Sequence, residues 1–188
     1  MRFAFNERKS AQAMAHLLTR HRGHMNYMVA VKVLYLADRM SLIETGRPIT
    51  GDWMASLPLG PVLSITLNLI RSPSDDRETV WHEYITKHWR WSIKLAKAHP
   101  DHDELSAFEL ETIVAADKEI GWMDHRQVSK YSHEKWKEWK DPHGSSQSIQ
   151  PEDILAAANK SAEVIEHASR MARDLWRFES RSRTGRRA

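Results

Sequence analysis

The densest group of side chains able to bind a metal or move a proton is His99, Asp101, His102 and Asp103, two imidazoles and two carboxylates grouped around Pro100. Such donors suit a divalent ion. The same residues ahead of an apolar run also suit a solvated turn whose Asp caps the next helix. No HExxH-type spacing occurs, so the turn is expected and no metal is. His21 and His24 are three apart, but Gly23 lies between them and interrupts the helix that would align them. Lys32 precedes Asp38 and Arg39 by nearly two helical turns. These three are expected to be ion-paired or snorkelling groups at the edge of a bundle. The alternative is a polar site inside the core, where each charge needs a partner. The chain has no Cys, which removes disulfides, thiol catalysis and Cys-ligated zinc. Gly-rich phosphate loops and the GxSxG elbow are absent. Neither enzymatic activity nor a cofactor is expected.

The elements that would position these residues are mostly helical. Asn6 or Ser10 opens a first helix to about Arg20, ended by Gly23, and Asn26 caps a second from Tyr27 to Glu44, stopped by Gly46. That second helix is apolar nearly all round, which places it in the middle of a bundle. Trp53 to Leu57 reads as a short strand, and Pro61 as the first turn of a third helix reaching Arg71. Residues 72–76 read as a loop. Thr79 to Ile85 and Trp89 to Leu95 alternate in part and suit a small hairpin. Ser106 to Ile120 has helical period, Asp124 to Lys140 reads as one or two short helices, 141–150 as a polar linker, and Pro151 to Phe178 as a last helical unit. The expectation is a mainly α (α+β) fold: one helical domain over 1–140 with about six helices and one small β-hairpin, a linker at 141–150, a helical extension over 151–180 and a basic tail at 181–188.

The 188 residues carry a net charge of +3, but the segment from Arg170 onward holds seven Arg against Asp174 and Glu179, which leaves −2 for the rest. The basic character belongs to the end of the chain, where a solvated helix end and frayed tail are expected. A helix-turn-helix built from the first two helices would present Asn26 to Val31 to DNA, and that stretch is mostly apolar. No run of 18 apolar residues exists, and MRFAFNERKS lacks the apolar stretch of a signal peptide. A cytoplasmic protein without membrane contact is expected.

Three segments taken in order, KVLYLADR at 32–39, GRPITGD at 46–52 and LPLGPV at 57–62, resemble the Panacea domain, also described as SocA-like, of bacterial and phage antitoxins. Lys32, Leu34, Tyr35 and Asp38 match its K-x-L-Y-x-x-D helix. Pro48, Ile49, Thr50 and Gly51 match its Pro-Ile-Thr-Gly turn. Gly60 and Pro61 match its Tyr-Gly-Pro entry to the next helix, with Leu59 where an aromatic is common. Leu105-Ser106, and Ser132-His133 followed by Trp136, resemble later positions, so the resemblance covers roughly residues 8–140. It implies an antitoxin that neutralises a cognate toxin protein by direct binding, without catalysis. A protease adaptor that delivers the bound toxin is a variant of that reading. A nucleic-acid-binding regulator using the Arg-rich C-terminus is the alternative. Tyr35, Arg39, Trp53 and Trp136 are the expected contacts with the partner. Tyr35 and Asp38 share a helix face from which they could hold the 46–62 crossover by hydrogen bonds.

Overall fold

The computed structural model describes residues 1–72 and 79–184, with side chains through residue 178. Helix α1 (Glu7–Arg20) starts where the Asn6 side chain accepts from Lys9 N–H, and it buries Ala11, Met14, Ala15 and Leu18. A three-residue strand, β1 (His24–Asn26), leads into α2 (Tyr27–Thr45), which Asn26 caps by accepting from Met28 N–H. Gly46 closes α2 in the left-handed region at φ 76°, a conformation that glycine adopts without a Cβ penalty. Residues 29–38 of α2 are all buried, so α2 is the axis around which the other elements pack.

Strands β2 (Met54–Leu57) and β3 (Gly60–Leu63) form a hairpin that runs directly into α3 (Ser64–Arg71). Pro61 therefore lies in a strand and not in the first turn of a helix. It tolerates this because β3 is at the edge of the sheet order β3-β2-β6, where a missing N–H costs no ladder bond. The third strand, β6 (Gln147–Ile149), pairs antiparallel with β2, Ile149 opposite Met54. The expected polar linker thus holds a strand. Its signal is one buried apolar residue, Ile149, beside exposed Gln147 and Ser148, too short an alternation to read in the sequence.

The hairpin expected over 79–95 begins later. Val80–Tyr84 is a helical turn, α4, and the strands are β4 (Ile85–Trp89) and β5 (Ser92–Leu95), with β1 completing the order β1-β5-β4. Trp81 and Tyr84, three apart, are both fully buried, a pairing that one helical face provides and a strand does not. Each such burial contributes about 2 kcal/mol. Helix α5 (Ala107–Ile120) opens on a Ser106–Glu109 capping box and α6 (His125–Lys135) on an Asp124–Gln127 box. The last unit is two helices, α7 (Pro151–Ala157) and α8 (Ala162–Thr184).

In place of six helices and one hairpin, the described residues form eight helices and two three-stranded antiparallel sheets. The α+β class stands. The expected loop at 72–76 lies mostly outside the described residues. So does the end of the basic tail, whose first residues continue α8. Among the described residues no helix is long and apolar enough to cross a membrane.

Candidate functional site

The residues of the three-part motif converge on one buried polar network. Asp38, fully buried on α2, accepts from Ile49 N–H at 3.1 Å, from Thr50 N–H at 3.0 Å and from the Thr50 hydroxyl at 2.5 Å. Asp52 N–H donates to Thr50 Oγ1, and the Asp52 carboxylate repeats the arrangement one step on. It accepts from Ile65 N–H, Thr66 N–H and the Thr66 hydroxyl at 2.9, 2.8 and 2.7 Å. Those amides open α3, whose N-cap residue Leu63 supplies no side-chain cap; Asp52 caps the helix from a distance. Thr66 Oγ1 then meets Ser10 Oγ at 2.9 Å on α1. The relay runs Asp38–Thr50–Asp52–Thr66–Ser10 and ties α2, the 46–52 crossover, α3 and α1 together. Burial, opposed by the Thr50 and Ile49 hydrogen bonds, pushes Asp38 up to about 7. Gly51 sits at φ 69°, and a Cβ there would collide with the Ala4 carbonyl oxygen, so Pro48-Ile49-Thr50-Gly51 is a turn clamped beneath the N-terminal segment.

A second cluster joins α2 to the hairpin and α6. Lys32 is 1 % exposed and its Nζ donates to Pro61 O at 3.1 Å. A Cβ on Gly60 would lie 2.7 Å from that Nζ and would overlap Ser132 Oγ. Further along α2, Tyr35 OH donates to Glu138 Oε1 at 3.0 Å, and the Arg39 guanidinium grips the same carboxylate with Nε at 2.7 Å. The Glu138 side chain has no exposure. Trp136 packs on Tyr35 with ring centroids 4.9 Å apart, and His133 stacks on Trp139 at 3.9 Å. Burial, and secondarily the charge of Lys32, pulls His133 below its ordinary value.

Lys32 and Asp38 therefore correct the expectation of groups at the bundle edge: both are core residues with polar partners. Asp38 holds the crossover as its position on the helix suggested; Tyr35 turns instead to Glu138. Of the four expected partner contacts, Trp53 is 63 % exposed, whereas Tyr35 and Trp136 are buried and Arg39 is engaged with Glu138. Leu34 is a core residue. Asp52 and Glu138 were not legible as network residues. Asp52 stands in the GRPITGD segment with a Thr 14 residues on, close to the 12 that separate Asp38 from Thr50, a faint signal. Glu138 carries none, because its partners lie 99 and 103 residues away.

The buried amine makes a prediction about pH. Desolvation lowers Lys32 from 10.5 to about 7. Between those values the unfolded chain holds a proton that the folded chain has released, so stability rises with pH across this window, by at most about 1.4 kcal/mol per pH unit. Asp38 acts with the opposite sign and below this window. Urea unfolding at pH 7.5 and 9.5 should show the rise in the wild type and its loss in Lys32→Met; an equal slope in both proteins would refute it.

The histidine–aspartate cluster does not converge. Asp101 accepts from Tyr84 OH and Lys97 Nζ, Asp103 accepts from Gln12 Nε2 at 2.6 Å, and His102 faces the His16 ring at 6.0 Å. Ser106, not an Asp of this cluster, caps α5. Among the described residues no group of three or more His, Asp or Glu is arranged to hold a metal ion.

No curated protein and no solved structure matches the chain. The family model of the antitoxin SocA-like, Panacea domain matches residues 31–140. That span contains Lys32, Tyr35, Asp38, Asp52, Gly60, Pro61, Ser132, Trp136 and Glu138, the residues through which α2 fastens the crossover, the hairpin and α6. By that match, over more than half its length, the chain belongs to the SocA-like antitoxin family and carries its Panacea domain.

Proposed function

We propose that this chain is an antitoxin that neutralises a cognate toxin by holding it in a stable, stoichiometric complex, without turnover. The observation that carries the reading is the family membership across residues 31–140. The matched motif residues are engaged inside the body, which leaves contact with a partner to exposed side chains. Trp53, beside the crossover, is one such anchor. A stable complex buries about 1,600 Å² in total and concentrates its energy in a few aromatic and Arg side chains, each worth about 2 kcal/mol or more. A complex of this kind, formed in the cytoplasm, can also deliver the toxin to a protease; loss of toxin protein in a protease-competent extract separates delivery from simple sequestration.

The test is a titration. The product of the adjacent reading frame is expressed, its toxicity measured, and this chain added at increasing ratio to fixed toxin. A sharp end point at a simple molar ratio is the expected result. Full neutralisation at a large molar excess of toxin would reveal a catalyst and overturn the reading.

A further inference from the structure

An open groove of about 990 Å³ lies between the β4–β5 hairpin, the start of α2, the β2–β3 turn and α6. Its walls are apolar: Tyr27, Met28, Leu59 and Trp91. Trp91 is 60 % exposed and Leu59 56 %, although both are the large apolar side chains that folding ordinarily hides. Neither is loose. Trp91 stacks on Tyr27 with ring centroids 6.0 Å apart, and Tyr27 N–H donates to Trp91 O at 2.9 Å. The Leu59 carbonyl accepts from Ser129 Oγ on α6 at 3.1 Å. A contiguous, preformed apolar patch of this kind marks a binding surface.

The rim says what would bind. Arg71, Arg126 and Lys130 line it, and Lys87, whose Nζ donates to Arg71 O, lies next to it. Glu134 is the acidic residue among those lining it, 3.8 Å from Lys130. The chain ahead of Arg170 carries a net charge of −2, so this is a cationic rim on a body that is otherwise slightly acidic. We propose that the groove is a docking site for an apolar segment flanked by Asp or Glu, presented by the toxin. This rests on the antitoxin reading and adds the place and the chemistry of the contact. The apolar face fills the space between Trp91 and Leu59, while the acidic flank meets Arg126 and Lys130 and sets the register.

A phage-displayed library of random peptides, panned on the full chain, tests the groove without the toxin. Enriched sequences should combine apolar residues with Asp or Glu. As synthetic peptides they should bind about thirtyfold more weakly to Trp91→Ala, as hot-spot loss implies. Binding to the double variant Arg126→Glu/Lys130→Glu should fall about tenfold and lose its salt dependence. Trp122→Ala, at an exposed aromatic outside the groove, should bind unchanged. All four positions are exposed, and matching melting curves establish that each variant folds. Enrichment of neutral or basic peptides, or equal binding by Trp91→Ala, would overturn the assignment. So would displacement of the peptides by oligo(dT), or a dimer of this chain that Trp91→Ala dissociates. If peptides bind as described and the toxin titration fails, the antitoxin reading is at fault. If the titration succeeds and the groove variants neutralise normally, the groove alone is.

Discussion

Replacing Asp38 by Ala should remove about 3–5 kcal/mol of stability, because three buried donors lose their acceptor. The substitution strands two backbone N–H groups and the Thr50 hydroxyl inside the core, and each unsatisfied buried donor costs about 1–3 kcal/mol. A domain of this size is stable by only about 5–15 kcal/mol, so a large share of the protein would unfold in mild urea. The midpoint of urea unfolding, with the slope unchanged, is the measurement. Asp38→Asn keeps the shape and the oxygen that accepts from Ile49 and Thr50, so its cost should be about 1 kcal/mol. Equal losses in both variants would mean that the side chain fills space and that its hydrogen bonds contribute little.

The second large effect is at Gly60. Its φ is +98°, and a Cβ would enter the space of Ser132 Oγ and lie 2.7 Å from Lys32 Nζ. Backbone strain and overpacking each cost about 1–3 kcal/mol, so Gly60→Ala should lose about 4 kcal/mol in all. At about 2–4 °C per kcal/mol for a chain this long, the melting temperature should fall by about 12 °C. Ser132→Gly in the same background removes one collision and leaves the strained φ, so it should restore part of the loss. Complete rescue would show that φ carries no strain here; no loss in the single variant would show that the hairpin and α6 separate easily.

Both predictions concern residues that the sequence marked as motif positions, and the reason is local. Asp38 acts on residues 11 and 12 positions ahead, and Gly60 sits in a two-strand hairpin. The ends of α1 and α2 were legible for the same reason: Asn6, Asn26 and Gly46 work on neighbouring backbone groups. Distant pairings were not. Pro61 looked like a helix start because its edge position depends on β2 and β6. Ile149 looked like part of a linker because its partner is Met54. Tyr35 and Trp136 looked like surface anchors because aromatic residues serve both cores and interfaces; Tyr35 is held inside by Glu138, 103 residues away, and Trp136 by packing on Tyr35. The groove was invisible too, since Tyr27, Leu59, Trp91 and Lys130 come from four separate elements.

The pairing of β6 with β2 bears on how the protein is made. A ribosome that has not yet passed Ile149 has produced β2 and β3 but not the strand that covers β2's other edge. Termination between Leu63 and Gln147 leaves that edge bare, with unpaired backbone groups, and omits α7, whose Ile154 and Leu155 are buried in the complete fold. Such fragments are targets for aggregation and degradation. Cellular quality control would clear them, so the supply of competent molecules depends on translation passing β6 and α7.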